Sequence, residues 1–267
     1  MRKRLILPVL ALLVLPLAAG PAAAAPDAGS RMTVQVWLER AAGKLWVSKR
    51  TVPRTPAVAT TAVRLLFAGP NAAERAAGVR TAIPAGTRLR GISVRNGTAT
   101  VDVGSAFAAA APRPQIRTRL AELVYTVTQF MTVQRVRLEV AGSVVTSIAG
   151  APVPQPAGRR DFLRRLPAIL VNRPAIGVHV PATVTVAGTA DVFEGALTVR
   201  VRNERGRLLA RRHITASCGT GCRGRYSVAI PYTVIRRQPG TVVILDSGGG
   251  PVAHPHVVRV PVKLSAS

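Results

Sequence analysis

Residues 94–103 read Val94-Arg-Asn-Gly-Thr-Ala-Thr-Val-Asp-Val103 and predict a β-hairpin. Asn-Gly is the dipeptide that most readily adopts the two positive φ angles of a type I′ turn. Apolar and polar residues alternate on both sides of this turn, which places strands at 88–95 and 98–103. Residues 133–140 alternate in the same way and predict a later core strand.

An amphipathic helix is predicted on each side of the hairpin. The first begins near Val58, has apolar residues at helical spacing, and ends at Gly69-Pro70. The second follows Pro114, and packing has to hold it because it is rich in β-branched residues. Its predicted apolar stripe consists of Ile116, Leu120, Leu123, Val124, Val127 and Phe130.

Two further strands are predicted before the first helix, at 33–38 and 44–52. Ala42-Gly43 supplies the turn between them. We expect Trp37 and Trp46, one on each strand, to face one another or the core.

These segments together resemble the GerMN domain of bacterial sporulation, germination and envelope proteins. The resemblance is carried by Ala62-Val-Arg-Leu-Leu-Phe-Ala-Gly-Pro70, Thr81-Ala-Ile-Pro-Ala-Gly-Thr87, the hairpin sequence, and Leu123-Val-Tyr-Thr-Val-Thr-Gln-Phe130. It implies an α+β envelope module without established catalytic residues, which we bound at 32–149. The chain departs from the lipoprotein members in lacking an acceptor cysteine.

The second half is patterned for β-structure throughout. Short alternating segments separated by Gly, Pro and Asp turns are typical of a β-sandwich. The predicted strands are 183–187, 197–202, 207–216, 242–245 and 257–264.

This half resembles the immunoglobulin-like domain that commonly follows a GerMN module in spore germination proteins. The residues that carry the resemblance include Ile169-Leu-Val-Asn-Arg-Pro174, Val184-Thr-Val-Ala-Gly-Thr-Ala190 and Phe193-Glu194. We bound the domain at 167–265. The chain is thus predicted to have two domains, an α+β module followed by an all-β immunoglobulin-like sandwich.

The N-terminus has the order of a secretory signal peptide. Basic residues 2–4 precede an apolar run from Leu5 to Leu17 and a stretch of small residues, so we expect cleavage after Ala24. The apolar run is shorter than the roughly 20 residues needed to cross a bilayer. Neither a transmembrane anchor after cleavage nor a lipid anchor is expected, which predicts a secreted, extracellular or wall-associated protein.

The mature chain is strongly basic. Removing residues 2–4 leaves 34 basic residues against 11 acidic residues, a formal charge of +23. Such a chain adheres to polyanions, although a GC-rich genome also imposes many arginines on solvated surfaces. No motif that reads DNA or RNA is present in the sequence. We therefore expect the partner to be an anionic cell-wall polymer or an envelope protein, and no specific nucleic acid.

Two arginine-rich segments are the candidate polyanion-binding sites. The first lies in a proline-rich stretch at 150–166, which is predicted to be a semi-extended linker and a small contributor to any core. The second surrounds a predicted turn at 203–206. The candidate residues are Arg159, Arg160, Arg164, Arg165, Arg205, Arg207, Arg211 and Arg212.

Cys218 and Cys222 are the only cysteines, spaced C-x3-C. In an oxidising compartment they are predicted to form a short structural disulfide. A redox role is the alternative, but the spacing is not C-x-x-C and no helix start follows to lower a thiol pKa.

Signatures of catalysis were sought and not found. The sequence has no nucleophile elbow, zinc-protease helix or phosphate-binding loop. His254-Pro-His256 has the look of a metal pair, but the sequence places no third ligand, and an exposed turn is the favoured interpretation. A paired-carboxylate glycosidase would have to draw on residues such as Asp102, Glu122 or Glu194. Asp102 is expected either to face a ligand with Arg95 or to accept hydrogen bonds from backbone N–H groups near Ser105.

The function predicted from these observations is non-enzymatic. We expect protein assembly or polyanion adhesion at the envelope, linked to sporulation, germination or wall processes, with no cofactor. A wall-modifying hydrolase, or an accessory factor of one, is the alternative from another class. A solute-sensing module is a third, and it would need a pocket lined by polar groups.

Overall fold

The computed structural model describes residues 30–246 and 255–266. The predicted signal peptide and His254 lie outside these residues. From Arg31 onward the chain is a single compact unit. Among the described residues, no helix has the length and apolar character needed to span a membrane.

The first module has the predicted α+β architecture. Its strands form three sheets with the orders β2-β1-β3, β4-β5-β6-β7 and β8-β9. The elements are β1 (Arg31–Arg40), β2 (Lys44–Pro53), α1 (Val58–Ala68), α2 (Ala72–Ala76), β3 (Val79–Arg80), β4 (Leu89–Arg95), β5 (Thr98–Val103), α3 (Arg113–Val127), β6 (Arg135–Val140), β7 (Ser143–Val144), β8 (Ser147–Ile148) and β9 (Ala151–Pro152).

The hairpin of β4 and β5 forms as the Asn-Gly dipeptide predicts. Arg95 pairs with Thr98, and the two turn residues Asn96 and Gly97 have φ angles of 48° and 74°. Both angles are positive, as a type I′ turn requires. Strand β5 then pairs in parallel with β6, so α3 is the crossover connection between them.

Strands β1 and β2 form an antiparallel hairpin that is largely buried. Trp37 pairs with Val47, and Trp46 pairs with Leu38. Successive residues of a strand point to opposite faces, so the two indole rings lie on opposite sides of the hairpin and do not face one another. Both are buried, and the Trp37 ring centroid lies 4.9 Å from that of Tyr125 on α3.

Helix α3 is buried on every side, which goes beyond the single predicted stripe. From Ile116 to Val127 every residue except Arg117 is buried, including the charged Arg119 and Glu122. Helix α1, strand β1 and a 3-10 helix that follows β9 all pack against it. Phe130 of the predicted stripe lies beyond the last helical residue.

The short helix α2 was not predicted, although its sequence has a capping box. Asn71 Oδ1 accepts a hydrogen bond from Glu74 N, and Glu74 Oε2 accepts one from Asn71 N. The Glu74 carboxylate also pairs with the Arg50 guanidinium at 2.6 Å. This ion pair connects α2 to strand β2.

The stretch at 150–166 packs into the first module. Ala157 exchanges two 2.8 Å backbone hydrogen bonds with Val136, and a 3-10 helix covers Arg159–Arg165. Val153, Ala157 and Phe162 are buried. The expectation that this stretch contributes little to the core was wrong, because its spaced apolar side chains anchor it.

The second module has two facing sheets with the orders β10-β12-β15 and β11-β17-β16-β13-β14. Strands β10, β11 and β15 were absent from the predicted set. The core between the sheets is dominated by valine, leucine and isoleucine. The strands are β10 (Ile169–Arg173), β11 (His179–Val180), β12 (Thr183–Ala190), β13 (Ala196–Asn203), β14 (Leu208–Thr215), β15 (Gly224–Pro231), β16 (Gln238–Asp246) and β17 (Val257–Leu264).

The two modules share one continuous apolar core. A single cluster of buried residues contains Trp46 of the first module and Ile169 of the second, and β2 packs against β10. Arg40 Nη2 also donates a 2.8 Å hydrogen bond to the Arg259 carbonyl oxygen.

Candidate functional site

The first arginine-rich segment is held in place by the 3-10 helix Arg159–Arg165. Asp161 Oδ2 accepts a 2.7 Å hydrogen bond from Gly158 N, which starts the helix. Phe162 is 1% exposed, so its ring anchors the segment in the core. The Arg117 guanidinium lies 5.6 Å from that ring and donates to the Asp161 carbonyl oxygen at 2.9 Å. The backbone between these anchors therefore curves around Phe162.

Arg159 is half-buried, and its guanidinium packs against aromatic rings. Its guanidinium lies 4.8 Å from the ring centroid of Tyr125 and 5.5 Å from that of Trp37. It donates to Thr128 Oγ1 at 2.8 Å and to the Tyr125 carbonyl oxygen at 3.1 Å. Burial lowers the pKa of Arg159. The structure thus places this predicted binding residue against aromatic side chains of the first module and outside the group of arginines described next.

The three remaining arginines of the segment surround a depression of about 670 Å³, which we name the arginine concavity. Arg117 of α3 completes the ring of positive charge. Within the part of the chain that the structure describes, none of these four side chains lies within 4.0 Å of a carboxylate. The lining residues are Arg117, Arg160, Asp161, Phe162, Leu163, Arg164 and Arg165.

Positive charges in the arginine concavity repel one another. Burial lowers the pKa of Arg165, the neighbouring Arg117 lowers it further, and the Glu39 carboxylate opposes this shift. The one carboxylate in the lining, Asp161, already accepts the Gly158 hydrogen bond. An anion placed between the two guanidinium groups would relieve this repulsion.

The β1–β2 turn packs against the residues that line the arginine concavity. Gly43 has a φ of 72°, and a methyl group there would lie 2.9 Å from Arg165 Nη1. Glycine therefore permits both the turn and the close approach of the guanidinium. Lys44 Nζ donates to the Arg164 carbonyl oxygen at 2.8 Å, which fixes the end of the 3-10 helix.

The second arginine-rich segment spreads its charge over a turn and the edge strand β14. Arg211 pairs with Arg200, and the same row continues across the sheet through Val243 to Arg259. Arg212 pairs with Val199 and so lies on the opposite face. The four predicted residues Arg205, Arg207, Arg211 and Arg212 are exposed, and none of them lines the arginine concavity.

Asp102 is a hydrogen-bond acceptor for a turn, although not the predicted one. Its Oδ1 accepts from Gly142 N at 2.9 Å, in the turn between β6 and β7. Its Oδ2 pairs with Arg90 at 3.0 Å, so Arg95 is not its partner.

Glu122 lies at the centre of the first module, far from solvent. Its carboxylate accepts from Thr81 Oγ1 at 2.7 Å and from Ala82 N at 3.0 Å. Burial raises the pKa of Glu122 from 4.5 to about 8. Glu194 is exposed in the second module, at a turn residue with φ 52°. The three candidate carboxylates therefore have separate surroundings and do not form a catalytic pair.

Cys218 and Cys222 form a disulfide in the loop between β14 and β15. The same loop is fixed to the residues before β13, because Thr220 N donates to the Val192 carbonyl oxygen and Gly221 N donates to Asp191 Oδ1. The predicted structural bridge is present.

His256 of the candidate pair contacts a carboxylate. Its Nδ1 lies 2.9 Å from Asp246 Oδ2. Across residues 30–246 and 255–266, no group of three or more His, Cys, Asp or Glu side chains is arranged to hold a metal ion.

Arg117 is the residue of the concavity that sequence reasoning missed. It interrupts the apolar pattern directly after Ile116, which marks it as a solvent-facing position of the helix. No local pattern indicates that α3 lies beside residues 160–165, because that contact depends on the packing of Phe162.

Comparisons with known proteins match both halves of the chain. The family described as sporulation and spore germination matches residues 31–146, and the immunoglobulin-like domain of bacterial spore germination matches residues 168–250. The first GerMN domain of the sporulation protein GerM from Bacillus subtilis is 20% identical, with a TM-score of 0.39 over 49% of this chain and 99% of that chain. The tandem GerMN domains of the same protein are 14% identical, with a TM-score of 0.43 over 88% of this chain and 61% of that chain. None of the curated proteins compared with the chain matches it significantly.

Proposed function

Because the chain carries the sporulation and spore germination domain followed by the immunoglobulin-like domain of bacterial spore germination, we propose that it is an exported, non-enzymatic protein of the bacterial envelope. It adheres to anionic cell-wall polymers in sporulation, germination or a related wall process. The predicted signal peptide supports the location. The basic surface supports an anionic polymer as the ligand.

The arginine concavity is the observation that carries this proposal. It gathers guanidinium groups from α3 and from the 3-10 helix around one depression, with its only lining carboxylate already hydrogen-bonded. A guanidinium presents planar donors that match the oxygens of a phosphate or a carboxylate. Several such groups held together bind repeating anionic units better than the same groups dispersed.

The exposed rim residues are the ones that contact the polymer. Arg160 and Arg164 are exposed, whereas Arg165 is half-buried against the β1–β2 turn. Leu163 is 57% exposed between them and adds apolar surface beside the charges. The stems of the arginine side chains cover this apolar surface while their charged heads stay in water.

Retention of the purified protein on isolated cell walls tests the proposal. We expect the double variant Arg160→Glu, Arg164→Glu to lose most of its retention at 0.1 M salt without loss of folding. The matched control is Arg205→Glu, Arg207→Glu, which makes the same change of charge on the dispersed segment and should retain most of the binding. Raising the salt to 1 M shortens the Debye length from about 10 Å to about 3 Å and should release the wild type.

Three results would contradict the proposal. Retention that is insensitive to salt and to the rim variant would indicate a specific protein partner, and the proposed role would be assembly. Equal losses in the two double variants would indicate net charge alone, without a site. Release of soluble fragments from peptidoglycan by the purified protein would show the wall-modifying hydrolase.

A further inference from the structure

A second concave site lies where the first module meets the second. It is a cleft of about 360 Å³ between the β1–β2 turn and the start of β17. This volume is within the range of small-molecule sites, which occur preferentially where domains meet. Residues that line it include Arg40, Lys44, Trp46, Ile169, His256 and Arg259. The arginine concavity shares none of these six residues.

Arg40 is fixed in this cleft with one guanidinium nitrogen unpaired. Its Nε donates to the Ala77 carbonyl oxygen at 3.2 Å, and its Nη2 donates to that of Arg259 at 2.8 Å. The guanidinium stacks over the Trp46 ring at 4.5 Å. Its Nη1 is buried and has no hydrogen-bond partner among the described residues. A buried donor without a partner costs free energy, so an acceptor that reaches it gains a strong hydrogen bond.

The charges around the cleft are positive. Arg40 and Lys44 come from the first module, and Arg259 comes from the second. The described lining contains no carboxylate. Asp246 approaches it only through His256, whose Nδ1 it contacts at 2.9 Å. An acidic ligand would therefore meet cations from both modules.

The walls of the cleft are apolar between these charges. Trp46 and Ile169 belong to the shared core, and Pro167 and Val258 extend the same surface. Inorganic phosphate would leave these walls unoccupied. A ligand with an apolar body would cover them and bury its own surface, at about 25 cal/mol for each Å² removed from water.

We infer that the cleft binds a small organic carboxylate with an apolar body. The carboxylate accepts from Arg40 and Lys44, and the apolar body packs against Trp46 and Ile169. Such a ligand touches both modules at once. Its binding therefore stabilises the folded chain as a whole.

Titration of the full chain with octanoate, followed by calorimetry and thermal unfolding, tests this inference. Octanol, which has the same chain length without the carboxylate, and sodium phosphate, which has the charge without the chain, are the matched probes. We expect octanoate to bind and to raise the melting temperature. Octanol should bind at least about tenfold more weakly, since a charge-assisted hydrogen bond contributes about that factor. Phosphate should also bind more weakly, because it leaves the apolar walls uncovered.

The variant Lys44→Gln should weaken octanoate binding about tenfold, and Arg40→Gln should weaken it further. Lys44→Gln is the safer of the two for folding, because Lys44 Nζ donates only to the Arg164 carbonyl oxygen. Arg205→Gln is the matched control and should bind octanoate like the wild type. Equal affinity for octanoate and octanol, or unchanged affinity in Lys44→Gln and Arg40→Gln when both are folded, would overturn the inference. The rim variant Arg160→Glu, Arg164→Glu should still bind octanoate. This result would show that the cleft acts independently of wall adhesion.

Discussion

The 3-10 helix Arg159–Arg165 and the strand β14 with its preceding turn are both rich in arginine, but they arrange their arginine side chains differently. Each has four candidate arginines. In the 3-10 helix the backbone curves around the buried Phe162, so three guanidinium groups converge with that of Arg117, and the fourth, of Arg159, packs half-buried against Tyr125. In β14 the extended backbone sends Arg211 and Arg212 to opposite faces of the sheet. A high density of arginine in a sequence therefore does not identify a binding site. The arginine side chains converge only where the backbone that holds them is curved.

The sharpest test of this comparison removes the anchor of the curved segment. Phe162→Ala should lower the free energy of unfolding by about 3–5 kcal/mol, as buried phenylalanine truncations do. Leu208→Ala is the corresponding change in the extended segment, where the side chain is 38% exposed, and should cost less than about 1 kcal/mol. Urea denaturation measures both. Similar losses in the two variants would remove the distinction between an anchored and a dispersed segment.

The next test separates two adjacent arginines. Arg159→Ala should cost about 2–3 kcal/mol, because it removes two charge-assisted hydrogen bonds and the stacking on Tyr125. Arg160→Ala should change stability by no more than about 0.5 kcal/mol and should weaken wall retention instead. Both variants are compared by chemical denaturation, which measures the change in stability, and by the retention assay, which measures wall binding. If Arg160→Ala destabilised the protein as strongly as Arg159→Ala, the division of roles would be wrong.

The disulfide braces a loop next to the extended segment. Replacing Cys218 and Cys222 with serine should cost about 2 kcal/mol, since a ring this small lies at the low end for disulfides. Wall retention should not change, because the bridge lies in the second module, away from the lining of the arginine concavity. Thermal unfolding and the retention assay check the two halves of this prediction. Loss of retention by a folded variant would point to a functional thiol pair.

The last predicted effect is a pH dependence that comes from Glu122 on α3, the helix that packs against the curved segment. The folded pKa of Glu122 is raised to about 8, so between pH 4.5 and 8 the folded state holds a proton that the unfolded state releases. Stability contributed by protonated Glu122 is therefore fully present below pH 4.5 and is lost as the pH rises towards 8, by at most about 1.4 kcal/mol per pH unit.

Denaturation of Glu122→Gln across this pH range measures the effect. The variant should lack this slope, because its side chain does not ionise. Glu194→Gln, the same substitution at an exposed residue of the second module, should keep the slope of the wild type. An unchanged slope in Glu122→Gln would show that other groups cause the pH dependence.

The fold was accessible from the sequence where local rules decide it. Asn96-Gly97 predicts its turn, and the helical spacing from Val58 predicts α1. The burial of Arg119 and Glu122 on α3 was not predictable, because both are polar in sequence and their hydrogen-bond partners, backbone carbonyl and amide groups and the Thr81 hydroxyl, lie in loops distant in sequence. The opposite roles of Arg159 and Arg160 were equally hidden, because they depend on the aromatic rings that tertiary packing brings to Arg159 alone.

The shared apolar core has a consequence for how the chain can be divided. A fragment that ends before β10 would leave Trp46 and Leu45 against water, since both belong to the cluster that continues into Ile169. Its solubility would suffer, because exposed aromatic and aliphatic patches of this kind drive aggregation. The two sequence families therefore meet in one cooperative folding unit, and calorimetry of the intact chain should show a single unfolding transition.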